Sequence, residues 1–205
     1  MHYTDERIKN MFFLSLTSTL GNTKQGGPSA AELRELIRRI GLGEEEALAS
    51  LYEQTKSAVY GFALSILKNR ADAEEIMQDT FLAVDANADR YQPVGSPMAW
   101  ILTIARNLSY GRLRRAKWEA AEEDIPEEAE DTTGLSEQTE NRMILQTALQ
   151  VLGDDERQIV MLHAVSGLKH REIAQLLGLS LSGTLSKYHR ALAKLQKQIG
   201  GMKHG

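Results

Sequence analysis

Ser186, Lys187, His189 and Arg190 stand close together near the end of the chain, with Ser182 one turn earlier. Hydroxyl, ammonium, imidazole and guanidinium groups donate hydrogen bonds to phosphate oxygens and base edges, and the cations neutralise phosphate charge. A second set is Arg106, Asn107, Arg112, Arg114, Arg115 and Lys117, with no acid among residues 106–117. Such a run suits a phosphate backbone, where each neutralised phosphate releases counterions. Basic groups at a helix C-terminus also answer the helix dipole, so that reading stays open for Arg114, Arg115 and Lys117. A third set has the opposite sign. Asp72, Glu74, Glu75, Gln78 and Asp79 form an acidic strip that faces either a basic partner or water.

Other chemistries find little support. There is no G-x-S-x-G, no H-E-x-x-H and no glycine-rich phosphate loop. His163, His170 and His189 read as scattered over the basic C-terminal module, as phosphate contacts or surface groups rather than metal ligands. The chain has no cysteine, which excludes disulfides and thiolate metal sites and is compatible with a reducing compartment. A non-enzyme with no catalytic residue, no metal and no cofactor is therefore expected.

The elements that must position the first set span residues 154–198. Gly167 closes one helix, and Leu168 to Leu177 forms a second. Gly178-Leu179-Ser180 is a turn, with glycine near the C′ position and Ser180 a good N-cap. Leu181, Leu185, Tyr188, Leu192, Leu195 and Ile199 recur at steps of three and four and predict one apolar face for the last helix. The opposite face is polar and basic, with Ser182, Gly183, Ser186, Lys187, His189, Arg190, Lys194 and Lys197 and no acid along it. A helix-turn-helix places such a helix in the major groove with its N-terminal residues on base edges. A plain helical hairpin with a solvated face would carry the same pattern.

Upstream, a capping box of Ser29 and Glu32 predicts a helix start after Pro28. Gly41 and Gly43 break the chain after Ile40. A long helix follows, with Leu48, Leu51, Tyr52, Val59, Phe62, Ile66 and Leu67 on one face. After the break at Asn69-Arg70-Ala71, Asp72 is expected to cap the next helix, whose buried side is Ile76, Thr80, Phe81 and Val84. Tyr91 to Ser96 is a loop, and Ser96-Pro97 starts a helix whose apolar face is Trp100, Ile101, Ile104 and Leu108.

Residues 119–140 hold ten acids and no base, with Pro126 and Gly134 inside. Few apolar groups and charge of one sign predict a mobile linker. Residues 141–205 hold nine Lys or Arg against four Asp or Glu, so the net charge of −4 hides a basic C-terminal module. A helix is expected around Met143 to Leu152. The predicted fold class is all-α: two small helical domains joined by an acidic flexible linker, the second a helix-turn-helix domain. The boundaries are 1–27 (an extension of unassigned role), 28–118, 119–140 and 141–205. No apolar run reaches membrane-spanning length, and the nearest, 11–16, lacks the flanks of a signal peptide. The chain is thus expected to be cytoplasmic, without membrane insertion.

Two stretches together resemble the bacterial RNA polymerase sigma factors, in particular their compact extracytoplasmic-function (ECF) group. Asp72-Ala73-Glu74-Glu75-Ile76-Met77-Gln78-Asp79-Thr80-Phe81 is similar to that family's polymerase-binding helix. Ala99 to Leu108, followed by Arg112-Leu113-Arg114-Arg115, resembles its Trp-Leu…Ile-Ala-Arg-Asn helix, which meets the −10 promoter element. Residues 167–195 resemble its −35-binding helix-turn-helix, and Gly43 to Tyr52 fits its opening.

The resemblance implies a transcription initiation factor that brings core RNA polymerase to promoter DNA and helps strand opening. It implies that Asp72, Glu75, Gln78 and Asp79 bind a basic coiled coil on the polymerase's large subunit. Tyr91, Gln92, Ser96, Arg106, Asn107, Arg112 and Arg115 would serve the −10 strand, with the 91–96 loop holding an extruded base. Ser182, Ser186, Lys187, His189 and Arg190 would serve the −35 duplex. The acidic linker would run through a basic channel of the polymerase. An anti-sigma partner is implied as well.

The chain departs from the family pattern at three places. Gly111 replaces an Asp, which implies a looser helix or an altered polar contact. Lys169 replaces a Ser or Thr, so one cap is lost. The family's Gly-Thr-Val falls on Ser182-Gly183-Thr184, so promoter preference does not transfer. Two other functions compete: a stand-alone helix-turn-helix regulator binding duplex DNA as a dimer, and an all-helical adaptor whose basic face binds an acidic partner. Neither gives the acidic strip and the Trp100 helix a role together.

Overall fold

A capping box opens the first helix. The Glu32 backbone N–H donates to Ser29 Oγ at 3.2 Å, and the Ser29 N–H to Glu32 Oε2 at 2.8 Å. The computed structural model describes residues 28–123 and 150–202, with side-chain surroundings for 28–119 and 150–198. The 1–27 extension, most of the 119–140 linker and most of the helix expected around Met143 lie outside the described residues.

The described helices fall into two units. The first contains α1 (Ala30–Ile40), α2 (Glu45–Leu67), α3 (Arg70–Asn87), a 3-10 turn (Ala88–Arg90) and α4 (Pro97–Glu123). Helix α1 buries Leu33, Leu36, Ile37 and Ile40. It stops at Gly41, where a Cβ would sit 3.1 Å from the carbonyl carbon and oxygen of Ala88 and from the Asp89 Cα. Only a residue without a side chain lets the 3-10 turn come that close.

Helix α2 buries Leu51, Val59, Phe62, Ile66 and Leu67, as its spacing predicts, together with Ala47, Thr55, Ala63 and Ser65, whereas Leu48 and Tyr52 from the expected face are half-buried. The buried hydroxyls are satisfied within their own helices. Thr55 donates to the Leu51 carbonyl at 2.7 Å, Ser65 to Phe62 at 2.6 Å, Thr80 to Ile76 at 2.6 Å and Ser109 to Ala105 at 2.8 Å. This back-bonding is how polar residues enter a helical core without an orphaned group.

The cap of α3 is Asn69, not Asp72. Asn69 Oδ1 accepts the Asp72 N–H at 3.1 Å, and the helix begins at Arg70. Asn at this position takes the orphan donor, which leaves the Asp72 carboxylate available for a distant partner. Helix α3 buries Ala73, Ile76, Thr80, Phe81 and Val84.

Helix α4 is about 40 Å long at 1.5 Å per residue. Ser96 Oγ caps it, accepting the Ala99 N–H at 3.4 Å. It runs unbroken through Gly111 to Glu123, past the expected boundary at 118. Its core side is Met98, Ile101, Leu102, Ala105 and Ser109, whereas Trp100, Ile104 and Leu108 are half-buried. Leu102 replaces Trp100 because Trp100 turns toward the 91–96 loop.

The second unit contains α5 (Asp154–Ala164), α6 (His170–Leu177) and α7 (Leu181–Met202). Its core is Ile159, Val160, Leu162, Leu168, Ile173, Ala174, Tyr188, Ala191 and Leu195. Gly178 ends α6 in the left-handed region, at φ 69°, as glycine permits. The described residues of both units contain helices and turns and no strand.

Candidate nucleic-acid interface

Ser180 positions the start of α7. Its hydroxyl accepts the Gly183 N–H at 3.0 Å and its carbonyl the Thr184 N–H at 2.9 Å. A Cβ on Gly183 would lie 2.9 Å from Ser180 Oγ, so glycine at that position keeps the cap intact. The stripe facing the core is Thr184, Tyr188, Ala191 and Leu195. Tyr188 and Leu195 are buried as the spacing predicts, but Leu181 is exposed and Leu185 and Leu192 are half-buried, which corrects the expected apolar face. The side chain of Ile199 is outside the described set. Lys169 supplies no side-chain cap to α6, but Glu172 Oε2 still accepts the Lys169 N–H at 2.8 Å, so half of a capping box survives.

On the outer side of α7, Ser182, Ser186, His189 and Arg190 are exposed. Lys187 is not. Its ammonium lies 2.7 Å from Asp155 Oδ2 on α5, and its side chain is 29% exposed. Lys194 Nζ is 2.6 Å from Glu156 Oε2, while Arg190 Nε is 3.8 Å from Glu156 Oε1 and keeps 64% exposure. Glu156 also accepts the Gly153 N–H at 3.1 Å. Burial of the Glu156 carboxyl opposes its ionisation. The Lys194 and Gly153 hydrogen bonds and the Lys194 and Arg190 charges outweigh that and hold its pKa below the usual glutamate value.

The histidines are not scattered. His163 and His170 stack with ring centroids 4.4 Å apart, and Tyr188 packs edge-on to both at 5.0 and 4.7 Å. His163 Nδ1 donates to the Leu168 carbonyl at 2.9 Å, which fixes that tautomer. These two rings belong to the junction of α5, α6 and α7, whereas His189 is exposed. Among the described residues no group of three or more His, Asp or Glu is placed to hold a metal ion.

In the first unit, Glu74, Glu75 and Gln78 are exposed on α3 and Asp79 is half-buried. Asp72 is drawn aside: its Oδ1 takes Arg112 Nε at 3.0 Å and Nη2 at 2.7 Å. Glu75 lies 3.7 Å from the same guanidinium. One member of the expected acidic strip and one of the expected phosphate contacts thus satisfy each other.

Tyr91 packs on Trp100, with ring centroids 4.7 Å apart and planes tilted by 51°. Burial pushes the Tyr91 hydroxyl pKa up, against the pull of the nearby Arg34 charge. Arg34 Nη2 also donates to the Gly95 carbonyl at 3.0 Å, which ties the loop to α1. Gln92 is exposed, and the Ser96 hydroxyl is occupied as the cap. Along α4, the Arg106 guanidinium lies 5.0 Å from the Tyr110 ring centroid, and Asn107, Arg114, Arg115, Lys117 and Trp118 are exposed. At Gly111 a Cβ would meet only Arg114 Nη2, at 4.0 Å. Asp155 and Glu156 escaped sequence reasoning. Their signal is the acidic first turn of α5, whose target on α7 is more than 30 residues away.

An all-helical chain with a capped helix-turn-helix in one unit, and an acidic strip beside a basic helix in the other, defines a nucleic-acid-binding protein of two modules. The Sigma-70 region 2 family model matches residues 51–119, and the Sigma-70 region 4 model matches residues 142–195. RNA polymerase sigma factor CarQ of Myxococcus xanthus is 32% identical over 167 residues, covering 80% of this chain and 95% of that protein. ECF RNA polymerase sigma factor SigK of Mycolicibacterium vanbaalenii is 30% identical over 179 residues, covering 83% and 90%.

Two solved structures share the fold at 24% identity. CnrH, in complex with the cytosolic domain of CnrY, aligns with a TM-score of 0.59 over 83% of this chain and 98% of that one. RpoE of Bartonella quintana, in complex with the anti-sigma factor NepR, aligns with a TM-score of 0.63 over 74% and 96%. The chain belongs to the ECF group of RNA polymerase sigma factors. It is a transcription initiation factor that directs RNA polymerase to promoters. A stand-alone regulator is disfavoured, because it leaves the region 2 match without a use.

Proposed function

We propose that the two units divide promoter recognition between them. Glu75, Gln78 and Asp79, with Glu74, engage a basic coiled coil of the polymerase's large subunit, and Asp72 supports that strip through Arg112. Tyr91 and Trp100 form an aromatic wall beside Gln92 and Ser96, against which a base extruded from the −10 strand stacks. Arg106, Asn107 and Arg115 hold nearby phosphates. In the second unit Ser182 and Ser186 face −35 base edges, and His189 and Arg190, later in the helix, face phosphates.

The domains correspond to residues 28–118 and 141–205, joined by the acidic stretch. The factor carries out no catalysis itself, and its work is binding. It acts in the cytoplasm with the polymerase. No helix among the described residues is long and apolar enough to cross a membrane. An anti-sigma partner belongs to the reading, and the related RpoE structure was solved with one.

The observation that carries the reading is the joint presence of an outward acidic strip on α3 and a capped helix α7 with outward Ser186, His189 and Arg190. The test is capture of core polymerase. Glu75→Lys with Gln78→Lys should keep helical circular dichroism and lose co-elution with core in gel filtration. Wild-type affinity in that variant would leave the strip a solvated face only.

A further inference from the structure

The last helix carries Lys187, Arg190, Lys194 and Lys197, yet its cations are not equally available. Lys187 and Lys194 each lie within 2.7 Å of a carboxylate from the first turn of α5. Arg190 is farther from its acid, at 3.8 Å, and largely exposed. We propose that Asp155 is a positioning residue that lowers the chain's general affinity for duplex DNA: it holds Lys187 off the promoter, so that −35 contact falls to Ser182, Ser186, His189 and Arg190. The proposal rests on the reading of α7 as the −35 helix.

The physical reason is competition between two anions. A phosphate that took the Lys187 ammonium would leave the Asp155 carboxylate uncompensated beside the DNA's own negative charge. The exchange removes one ion pair for each it forms and adds a like-charge repulsion. Asp155 is held on the same unit as Lys187, so it meets no loss of translational freedom, whereas an incoming duplex does. Glu156 secures the neighbouring Lys194 in the same way, and its own N-terminal anchor at the Gly153 N–H keeps the acidic turn in register. Asp154 is directed elsewhere, with Oδ1 3.2 Å from Arg157 Nη1. The face offered to DNA therefore carries fewer free cations than the sequence counts, and more hydroxyl and imidazole. Phosphate contacts carry no sequence information, so withholding a cation lowers binding to every duplex while leaving base readout intact.

The test uses holoenzyme assembled from core polymerase and the full chain. The probe is a short duplex that this holoenzyme selects from a randomised −35 pool, measured over a series of salt concentrations with core alone subtracted. Asp155→Asn should bind several-fold tighter at low salt, with a salt slope steeper by about 0.9, the signature of one further phosphate. Scrambled duplex should gain equally. Asp155→Glu should restore the wild-type slope. Lys187→Ala should leave the wild-type slope unchanged and abolish the gain in the Asp155→Asn background. Asp154→Asn, which removes an equal charge from the same turn, should not change the slope.

Three results overturn the proposal: a slope flattened by about 0.9 in Lys187→Ala alone, an unchanged slope in an Asp155→Asn protein that melts like wild type, or an equal gain from Asp154→Asn. Wild-type holoenzyme that binds the selected duplex no better than core alone overturns instead the reading of α7, and this inference with it.

Discussion

Arg112 on α4 lays its guanidinium against a single carboxylate oxygen of Asp72 on α3, with Nη2 at 2.7 Å and Nε at 3.0 Å. The hydrogen bond and charge of Asp72 hold the Arg112 pKa above its usual value. The pair joins the helix with the acidic strip to the helix with the basic run. Charge-assisted, two-pronged bonds of this kind fix orientation as well as adding energy.

Breaking that pair should loosen the first unit without unfolding it. The side chains are 37% and 27% exposed, so solvent screens the interaction. Asp72→Ala or Arg112→Ala should each cost about 1 kcal/mol. The double mutant should cost little more than either single one, read as a coupling energy in a thermal or urea double-mutant cycle. Fully additive losses would show that the pair contributes nothing.

Gly41→Ala should destabilise the first unit by about 1–3 kcal/mol. The added methyl meets backbone atoms of Ala88 and Asp89 at 3.1 Å, and backbone cannot swing aside as a flexible side chain would. Gly111→Ala is the comparison: it meets only the end of Arg114, at 4.0 Å, and should raise stability by up to about 1 kcal/mol through helix propensity. Urea midpoints of the two variants should move in opposite directions.

The Glu156 carboxylate predicts acid lability of the helix-turn-helix unit. Its folded pKa lies below the ordinary 4.5, so its contribution is fully present above pH 4.5 and is lost as the pH falls through the folded value. Melting of the second unit should be flat with pH near neutrality from this group and fall below pH 4.5. Glu156→Gln should lower the melting temperature at pH 7 and flatten the acid limb. An unchanged acid limb in that variant would assign the lability to other carboxylates.

Promoter opening should require the polymerase. Neither unit alone offers a large duplex footprint, and specific affinity for duplex DNA rises with buried interface and phosphate count. Potassium permanganate should modify thymines of the −10 region only when core enzyme is added. Reactive thymines with the isolated chain would contradict the proposed division of work.

Much of this protein was legible in the sequence because its signals are local. A cap needs an acceptor within three residues, so Ser29 with Glu32, Ser96 before Pro97 and Ser180 before Gly183 announced their helices. A left-handed C-cap favours glycine, so Gly178 marked the turn of the helix-turn-helix, whereas the left-handed end of α2 falls on Lys68, at φ 60°. Periodicity marked the buried faces of α2 and α3 for the same reason.

What only the tertiary structure decided is where each charge and ring spends its contacts. Asp72 and Arg112 are 40 residues apart, Asp155 and Lys187 are 32 apart, and nothing local joins them. Asp72 was the expected cap of α3, but Asn69 Oδ1 takes the orphan N–H instead, which frees the acid for Arg112. Tyr91 meets Trp100 because a loop folds back on α4, and His163 meets His170 because α5 and α6 turn toward Tyr188. A side chain's type and its neighbours along a helix are written in sequence. Its partner is set by packing, because charges and rings act over a few ångströms of space whatever the distance along the chain.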